Sequence, residues 1–208
     1  MKKWIVVTAL LLIPAGFHLR RDPPVEVSRT ARPRLERLFA DAGCGYPPRE
    51  VSLVALKEER RLEVWANDRD PRWRRITEYP ILPTVSGQVP EGLYRIVALN
   101  PDLSMKIDYP NATDLAHGST GSDIFIHGGS ASIGCIAVGD PAIEELHTLV
   151  ADTGLVRASV TIAPRDFRTV PPAIVDGPSW VATLYDRIGE DLRRKSAPAP
   201  PAPPQPQR

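Results

Sequence analysis

Three things are scarce in this 208-residue sequence: an excess of charge of either sign, long apolar runs and cysteine. Its 26 Lys and Arg residues nearly balance its 25 Asp and Glu residues, which leaves a formal net charge of +1. Proteins that hold nucleic acid through its phosphates normally carry a clear basic excess. The balance therefore argues against a nucleic-acid partner.

The longest apolar stretch, residues 4–13, follows Lys2 and Lys3. A membrane-spanning helix needs roughly 20 apolar residues, whereas a basic start followed by a shorter apolar segment is typical of an export signal. We interpret residues 1–20 as a signal peptide, with an uncleaved membrane anchor as the alternative. The protein is therefore expected to be exported, with membrane association through this segment if it is retained.

Cysteine occurs only at Cys44 and Cys135. Exported proteins often pair their cysteines. Cys44 lies in a turn-like segment and Cys135 in a glycine-bracketed loop, so the sequence does not decide whether they form a disulfide. A zinc site would use His117, His127 and Cys135, but the sequence lacks CxxC and HxxxH spacings and an acidic residue near the last two. We therefore expect no metal and no cofactor.

Proline, in contrast, is abundant: the sequence has 23, and six lie in its last eleven residues. Because proline interrupts helix interiors, the body is not expected to be a helical bundle. We predict a disordered, proline-rich tail over residues 196–208, since this composition cannot form a core.

Short apolar segments recur about every ten residues, with turn residues between them, which is typical of a β-sandwich or barrel. The predicted strands cover 51–56, 61–65, 73–82, 93–99, 105–109, 124–127 and 156–163. The fold class is therefore mainly β.

Three helices complete the prediction. A short amphipathic helix over 34–42 follows a polar linker over 22–33, and another helix covers 178–195. The central helix would begin with Asp140 as its N-cap and Pro141 as its first helical residue.

Residues 124–137 combine what a thiol enzyme needs. An apolar strand ends at His127, a run of small residues follows, and Cys135 comes directly after Gly134. The thiolate is the nucleophile, and a histidine within hydrogen-bond reach can take the thiol proton. Small residues also let backbone N–H groups, those of Gly134 and Cys135, face a developing oxyanion.

Two alternatives to this interpretation remain. His127 and Cys135 could each be structural, since a lone cysteine is often a small buried apolar residue. Ser130 or Ser132 could be the nucleophile, but the Gly-x-Ser-x-Gly turn of serine hydrolases is missing.

The segment Ser132-Ile133-Gly134-Cys135 resembles the active-site loop of the L,D-transpeptidase catalytic domain (YkuD) family, in which a histidine precedes Ser/Thr-His-Gly-Cys. Ile133 stands where a second histidine is common, and the spacing from His127 to Cys135 is short. Both departures are similar to the YafK-like branch.

The resemblance extends beyond this loop. Residues 90–94 (PEGLY) resemble the family's Pro-x-Gly-x-Tyr/Phe hairpin, and residues 107–114 (IDYPNATD) resemble the Tyr-Pro-Asn-x-x-Asp segment of the branch. Residues 51–65 resemble the opening strands, and residues 140–150 the helix after the active-site loop. The likeness covers roughly residues 48–163.

The resemblance implies an exported enzyme that acts on peptidoglycan stem peptides. Cys135 would attack the L-to-D peptide carbonyl after the diamino acid, and His127 would be the general base and acid. Gly134, Ser132 and Gly128 would supply the oxyanion site or its support.

The resemblance also leaves several alternatives. Tyr109 and Asn111 would shape the substrate groove, although strand-end packing and turn formation explain them equally well. The segment 83–89 is shorter than the corresponding loop of relatives, which puts the substrate range in doubt. A hydrolase of the same bonds (an L,D-carboxypeptidase, or an enzyme that releases a protein attached to peptidoglycan) and a non-catalytic cell-wall-binding module stay open.

The fold implied is an L,D-transpeptidase-like β-sandwich or barrel with one central helix, a short N-terminal helix and a C-terminal helix. No oligomeric state is predicted. The predicted segments are the N-terminal signal or anchor (1–20), a linker with a short helix (21–47), the catalytic domain (48–163), a C-terminal extension with a helix (164–195) and the tail (196–208).

Overall fold

The computed structural model describes residues 25–86, 89–130, 132–172 and 178–196. The predicted signal or anchor and nearly all of the predicted tail lie outside the described residues. Within the described part of the chain, no helix is both long enough and apolar enough to cross a bilayer.

The described residues form ten strands, four α-helices and a short 3₁₀ helix. In chain order they are α1 (Val25–Asp41), β1 (Glu50–Leu56), β2 (Arg61–Asn67), β3 (Arg74–Pro80), β4 (Thr84–Ser86), β5 (Gly92–Leu99), β6 (Met105–Ile107), α2 (Ala112–Ala116), β7 (Phe125–His127), β8 (Ser132–Ile133), β9 (Ile136–Ala137), α3 (Asp140–Thr153), the 3₁₀ helix (Leu155–Arg157), β10 (Ala158–Ala163) and α4 (Ser179–Ser196).

Eight of the strands form one curled sheet in the order β3-β2-β1-β10-β5-β6-β7-β9. The β1–β10 and β7–β9 pairs are parallel, and the other neighbours are antiparallel. Strands β4 and β8 form a separate two-stranded parallel sheet. The prediction of a mainly β fold is confirmed.

Both faces of the central strands are covered, which explains why β1 and β2 are buried almost throughout. In each of these strands six consecutive residues are buried. One face packs with α1 and α3 in the main core, where Leu53 and Leu146 lie. The other face packs against α4 through Val54, Ile188 and Leu192. The predicted strands over 51–56 and 61–65 and the predicted helix over 178–195 correspond to β1, β2 and α4.

The predicted N-terminal linker is wrong where it overlaps α1, which begins at Val25 and contains Pro33. Ala31, Leu35 and Phe39 recur every four residues and are 0%, 1% and 0% exposed, respectively. Their burial in the core, together with the packing of α1 on α3, outweighs the hydrogen bond that a proline removes from a helix.

The central helix also starts differently from its prediction. Gly139 is the N-cap of α3, and Asp140 is the first helical residue, with Pro141 following it. The Asp140 side chain makes no capping bond to its own helix, because its carboxylate lies against the loop after β7.

Candidate active site

The chain leaves the sheet at His127 and returns to the same edge nine residues later. Ile126, which is fully buried, fixes β7 in the core, and β9 runs parallel to β7 with His127 opposite Ala137. The Val138 N–H donates to the His127 carbonyl oxygen at 3.0 Å. This pairing brings Cys135, just before β9, back towards the end of β7.

Two glycines with positive φ turn the connecting loop. Gly129 has φ of +78° and Gly134 has φ of +76°, a region that residues with a Cβ rarely adopt. Between them, Ser132 and Ile133 form β8 and pair with β4. The Gly134 turn directly precedes the thiol.

His127 and Cys135 line one open cleft of about 670 Å³. Gly128, Gly129 and Asp140 line the same cleft. Cys135 is partly exposed, and its thiol is free. The structure therefore brings together the residues that the proposed thiol chemistry requires.

Cys44, in contrast, is a buried free thiol, so the two cysteines do not form a disulfide. It packs in the main core, and burial raises its pKa. Since the thiolate is the reactive form, Cys44 is protected from reagents by its environment.

The His127 ring is oriented through its Nδ1 atom, which lies 2.6 Å from the Gly128 carbonyl oxygen. A carbonyl can only accept a hydrogen bond, so the contact assigns the proton to Nδ1. Nε2 is then the unprotonated nitrogen. It lies 3.4 Å from the Ser132 Oγ.

Ser132 links the histidine to the backbone of the nucleophile. Its hydroxyl accepts the Cys135 N–H at 2.9 Å, and the residue is only 4% exposed. The same hydroxyl lies between the Cys135 N–H and the His127 ring. Among the described residues, no hydrogen bond joins the Cys135 Sγ to the His127 ring.

The hydrogen bond to Ser132 affects one of the two backbone N–H groups that were predicted to bind the oxyanion. The Cys135 N–H is engaged by Ser132 in this conformation, so it is not free to meet an oxyanion until that bond opens. The Gly134 N–H precedes it in the same turn. The backbone conformation of the loop decides this point, and residue types alone do not reveal it.

Asn111 and Tyr109 have roles elsewhere in the described structure. Asn111 caps α2: its Oδ1 accepts from the Thr113 N–H at 2.8 Å, while Asp114 accepts the Asn111 N–H at 2.8 Å. It lines a different cavity, of about 270 Å³, beside α4. Tyr109 packs edge-on against Tyr94 with ring centroids 6.1 Å apart. Neither is among the described residues that line the Cys135 cleft.

His117 also lies away from the Cys135 cleft, because it lines the α4 cavity and stacks on Trp180 with ring centroids 4.2 Å apart. Its Nδ1 lies 2.7 Å from the Thr113 carbonyl oxygen. Within the described ranges, no three His, Cys, Asp or Glu side chains are grouped so that they could hold a metal ion.

Sequence reasoning missed two contributions to the cleft. It found no acidic residue near His127 and Cys135, yet Asp140 accepts the Gly129 N–H at 2.7 Å. It also missed the turn after β5, where Asp102 and Leu103 line the cleft. Asp140 could have been found from the sequence, because it follows Cys135 by only five residues. The contribution of Asp102 and Leu103 could not, because it depends on how β5 pairs with β6.

Residues 49–162 match the family model described as the L,D-transpeptidase catalytic domain, YkuD. The chain belongs to this family. The match spans more than half of the 208 residues and includes the whole loop from His127 to Cys135.

Two similar curated proteins carry the name "Putative L,D-transpeptidase YafK", from Escherichia coli strain K12 and from Escherichia coli O157:H7. Each is 29% identical over 170 residues, which cover 72% of this chain and 64% of the relative. The chain therefore spans less than two thirds of the length of these relatives.

Similar solved structures include Bdellovibrio bacteriovorus Bd1075, with 23% identity, a TM-score of 0.46 and coverage of 72% of this chain and 56% of that one. Another is the helical cell shape determining protein Pgp2 of Campylobacter jejuni, with 22% identity and a TM-score of 0.48. The match covers 62% of this chain and 55% of Pgp2.

Proposed function

We propose that this YkuD-family chain is an L,D-transpeptidase-like cysteine acyltransferase that acts on peptidoglycan stem peptides. Cys135 is the nucleophile, and His127 is the general base and acid. The observation that carries the proposal is the shared cleft, in which the Gly128 carbonyl fixes the His127 proton on Nδ1 and leaves Nε2 as the acceptor.

The first step is activation of the thiol. His127 Nε2 takes the Cys135 proton, and the bond from Nδ1–H to the Gly128 oxygen stabilises the resulting imidazolium. The Sγ and Nε2 atoms must approach each other for this transfer. Catalytic hydrogen bonds are often loose without substrate and tighten when it binds.

The second step forms the acyl-enzyme. The thiolate attacks the carbonyl carbon of the L-to-D peptide bond, and the oxygen becomes an oxyanion. The Gly134 N–H meets the oxyanion, and the Cys135 N–H joins it when Ser132 releases it. The C–N bond then breaks, the imidazolium protonates the leaving amine, and a thioester to Cys135 remains.

The last step decides between transfer and hydrolysis. An acceptor amine that attacks the thioester gives a new peptide bond, while water gives a free carboxylate, and in both cases the thiolate leaves. His127 Nε2 takes the proton of the attacking amine or water. These steps route no chemistry through a metal or a cofactor.

The proposed setting is the periplasm or cell envelope, with residues 1–20 as the export signal or anchor. The catalytic domain would span residues 48–163, with stem peptides as the partner. Gly128 and Ser132 would position His127 and the backbone of Cys135, as their hydrogen bonds to these residues suggest.

Incubation with purified muropeptides, followed by mass analysis, tests the proposal. Wild-type protein should give new cross-linked dimers, whereas trimmed or released stems alone would assign it to the hydrolases. Cys135→Ala should give neither product. The matched control is Cys44→Ala, which removes the buried thiol and should keep the products. Equal product formation by Cys135→Ala would refute the acyl-enzyme mechanism.

A further inference from the structure

One peptide unit lies between His127 and a carboxylate that the mechanism above does not use. The carbonyl of Gly128 faces the His127 Nδ1 at 2.6 Å. The N–H of Gly129, which belongs to the same peptide unit, donates to the Asp140 Oδ1 at 2.7 Å. His127 and Asp140 are thus joined by two short hydrogen bonds through a single rigid plane.

The Asp140 carboxylate is packed closely on this peptide unit. A Cβ atom added at Gly128 would lie 2.5 Å from Asp140 Oδ1 and 2.9 Å from Ile143 Cγ2. Gly129 has φ of +78°, so the turn has the backbone conformation that glycine allows most readily. The two glycines therefore permit the close approach of the carboxylate.

The carboxylate makes its hydrogen bond to the loop after β7 and none to its own helix. Asp140 is the first residue of α3, but the N-cap Gly139 has no side chain, and Asp140 makes no capping bond. Its position at the start of α3, whose Ile143 and Leu146 are buried in the core, fixes it relative to the sheet. The core thus holds the carboxylate in place for the loop.

We propose that Asp140 is a positioning residue that orients His127 through the Gly128–Gly129 peptide. A charged acceptor on the N–H side polarises the peptide, which makes the Gly128 oxygen a stronger acceptor for Nδ1–H. Asp140 thereby holds the Nδ1-protonated tautomer and stabilises the imidazolium that forms when Cys135 is deprotonated. The inference rests on the proposed roles of His127 and Cys135.

The experiment compares wild type with Asp140→Ala and Asp140→Asn, using two readouts that need no peptidoglycan. Nitrogen NMR reports which His127 nitrogen carries the proton. The rate of Cys135 alkylation by iodoacetamide against pH reports thiolate formation, with mass analysis locating the modified cysteine. Asp140→Asn keeps an oxygen that can accept the Gly129 N–H, so it tests rescue by a conservative change.

Asp140→Ala should give a mixture of His127 tautomers and slow Cys135 alkylation near neutral pH by up to roughly thirty-fold, the ratio between a full thiolate and an ordinary thiol with a pKa of about 8.5 at pH 7. Asp140→Asn, whose amide oxygen is a weaker, uncharged acceptor, should keep the wild-type tautomer and give a rate between those of wild type and Asp140→Ala. Asp140→Ser, whose side chain is shorter, should behave like Asp140→Ala and provides a second comparison if the alanine variant does not fold.

Asp68→Ala is the matched control. The Asp68 Oδ2 also accepts a glycine N–H, that of Gly45, at 2.7 Å, but Asp68 is not among the described residues of the Cys135 cleft. This variant should lose stability while its His127 tautomer and alkylation profile stay unchanged.

The proposal is overturned if the alanine and serine variants that fold keep the wild-type tautomer and alkylation profile, or if Asp140→Asn is as impaired as Asp140→Ala. Its failure differs from failure of the proposed function. If the wild type leaves muropeptides unchanged but the His127 tautomer still changes in Asp140→Ala, the proposed function is refuted and the positioning role of Asp140 is not.

Discussion

The His127 imidazole contacts a carbonyl through one nitrogen and lies near a hydroxyl with the other. The Gly128 oxygen and the Ser132 hydroxyl are both supplied by the small-residue loop, and the ring itself comes from the end of β7. A ring defined on both sides can hold one tautomer without a dedicated carboxylate in direct contact. The loop backbone is therefore part of the proposed catalytic apparatus.

Gly134→Ala tests the turn that precedes the nucleophile. Gly134 has φ of +76°, and no atom lies within 4 Å of an added Cβ, so the cost is backbone strain of about 1–2 kcal/mol. The free energy of unfolding in urea should fall by this amount. Because the strain shifts the Cys135 backbone, alkylation of Cys135 should also change.

Gly118→Ala separates these two effects. Gly118 has φ of +80° and equally open surroundings, but it follows α2 and not the nucleophile loop. It should lose similar stability and keep the Cys135 alkylation rate. If both variants alter the rate equally, the Gly134 turn has no special bearing on the thiol.

The turn of the chain between His127 and Cys135 could be predicted from the apolar strand, the small residues and the apolar segment that follows, and β7 and β9 pair beside it. The catalytic roles of His127 and Cys135 stay a prediction. Residue types could not predict that Ser132 would take the Cys135 N–H, since this bond depends on the loop conformation. Asn111 was ambiguous for the same reason, and the cap it forms on α2 supports the turn-forming alternative.

At the scale of elements, α1 and α3 are joined by buried polar contacts as well as by apolar packing. Glu145 of α3 accepts hydrogen bonds from the Arg34 Nε and the Tyr79 hydroxyl, both at 2.5 Å. Burial and the bond to Glu145 raise the pKa of Tyr79. These contacts connect α1, α3 and β3, so they fix the helix that carries Asp140.

Leu35→Ala should destabilise the fold by about 2–5 kcal/mol, since Leu35 is only 1% exposed and deletion of its side chain leaves a cavity. Glu36→Ala, at the adjacent exposed position, should change the free energy of unfolding by no more than about 0.5 kcal/mol. Urea unfolding measures both. Similar values for the two variants would contradict the packing of α1 in the core.

Long strands and helices were predictable from the sequence, while the shortest elements were not. Strands β8 and β9 contain two residues each, too few to show an alternating pattern. The N-terminal part of α1 was missed because the polar, proline-rich composition of residues 22–33 predicted a linker. Burial in the core is what stabilises the helix there. The limits proposed for the catalytic domain stay a prediction.

At the scale of the whole molecule, the chain after β10 is held on the sheet by buried charged residues, because Arg168 binds Glu63 of β2. Glu63, which is 0% exposed, accepts from the Arg168 Nη2 at 2.9 Å and the Trp65 Nε1 at 2.8 Å. Burial alone would raise the pKa of Glu63, but these hydrogen bonds and the charges of Arg168 and Arg61 outweigh it and lower the pKa. The carboxylate therefore stays charged in the interior.

The buried His147 should make the protein less stable as the pH falls. The residue is 1% exposed, and burial lowers its pKa below the ordinary value of 6.5. Below pH 6.5 the unfolded chain therefore binds a proton more readily than the folded chain does. Stability is full above this pH and is lost as the pH falls from 6.5 through the lowered pKa.

Urea unfolding of wild type and His147→Leu at pH 7.5 and 5.5 measures this effect. The wild type should lose more stability between the two pH values than the variant, whatever the stability of the variant at pH 7.5. An equal loss in the two proteins would show that His147 does not contribute to the pH dependence.

The central claim is that His127 activates Cys135, and the pH dependence of Cys135 alkylation by iodoacetamide tests it most directly. A free cysteine has an ordinary pKa of about 8.5, so an activated thiol should react well below that pH. We expect wild-type Cys135 to do so and His127→Ala to lose this reactivity while Cys44 stays unmodified in both. A wild-type Cys135 that reacts only as an ordinary thiol, with the same profile in His127→Ala, would contradict the account.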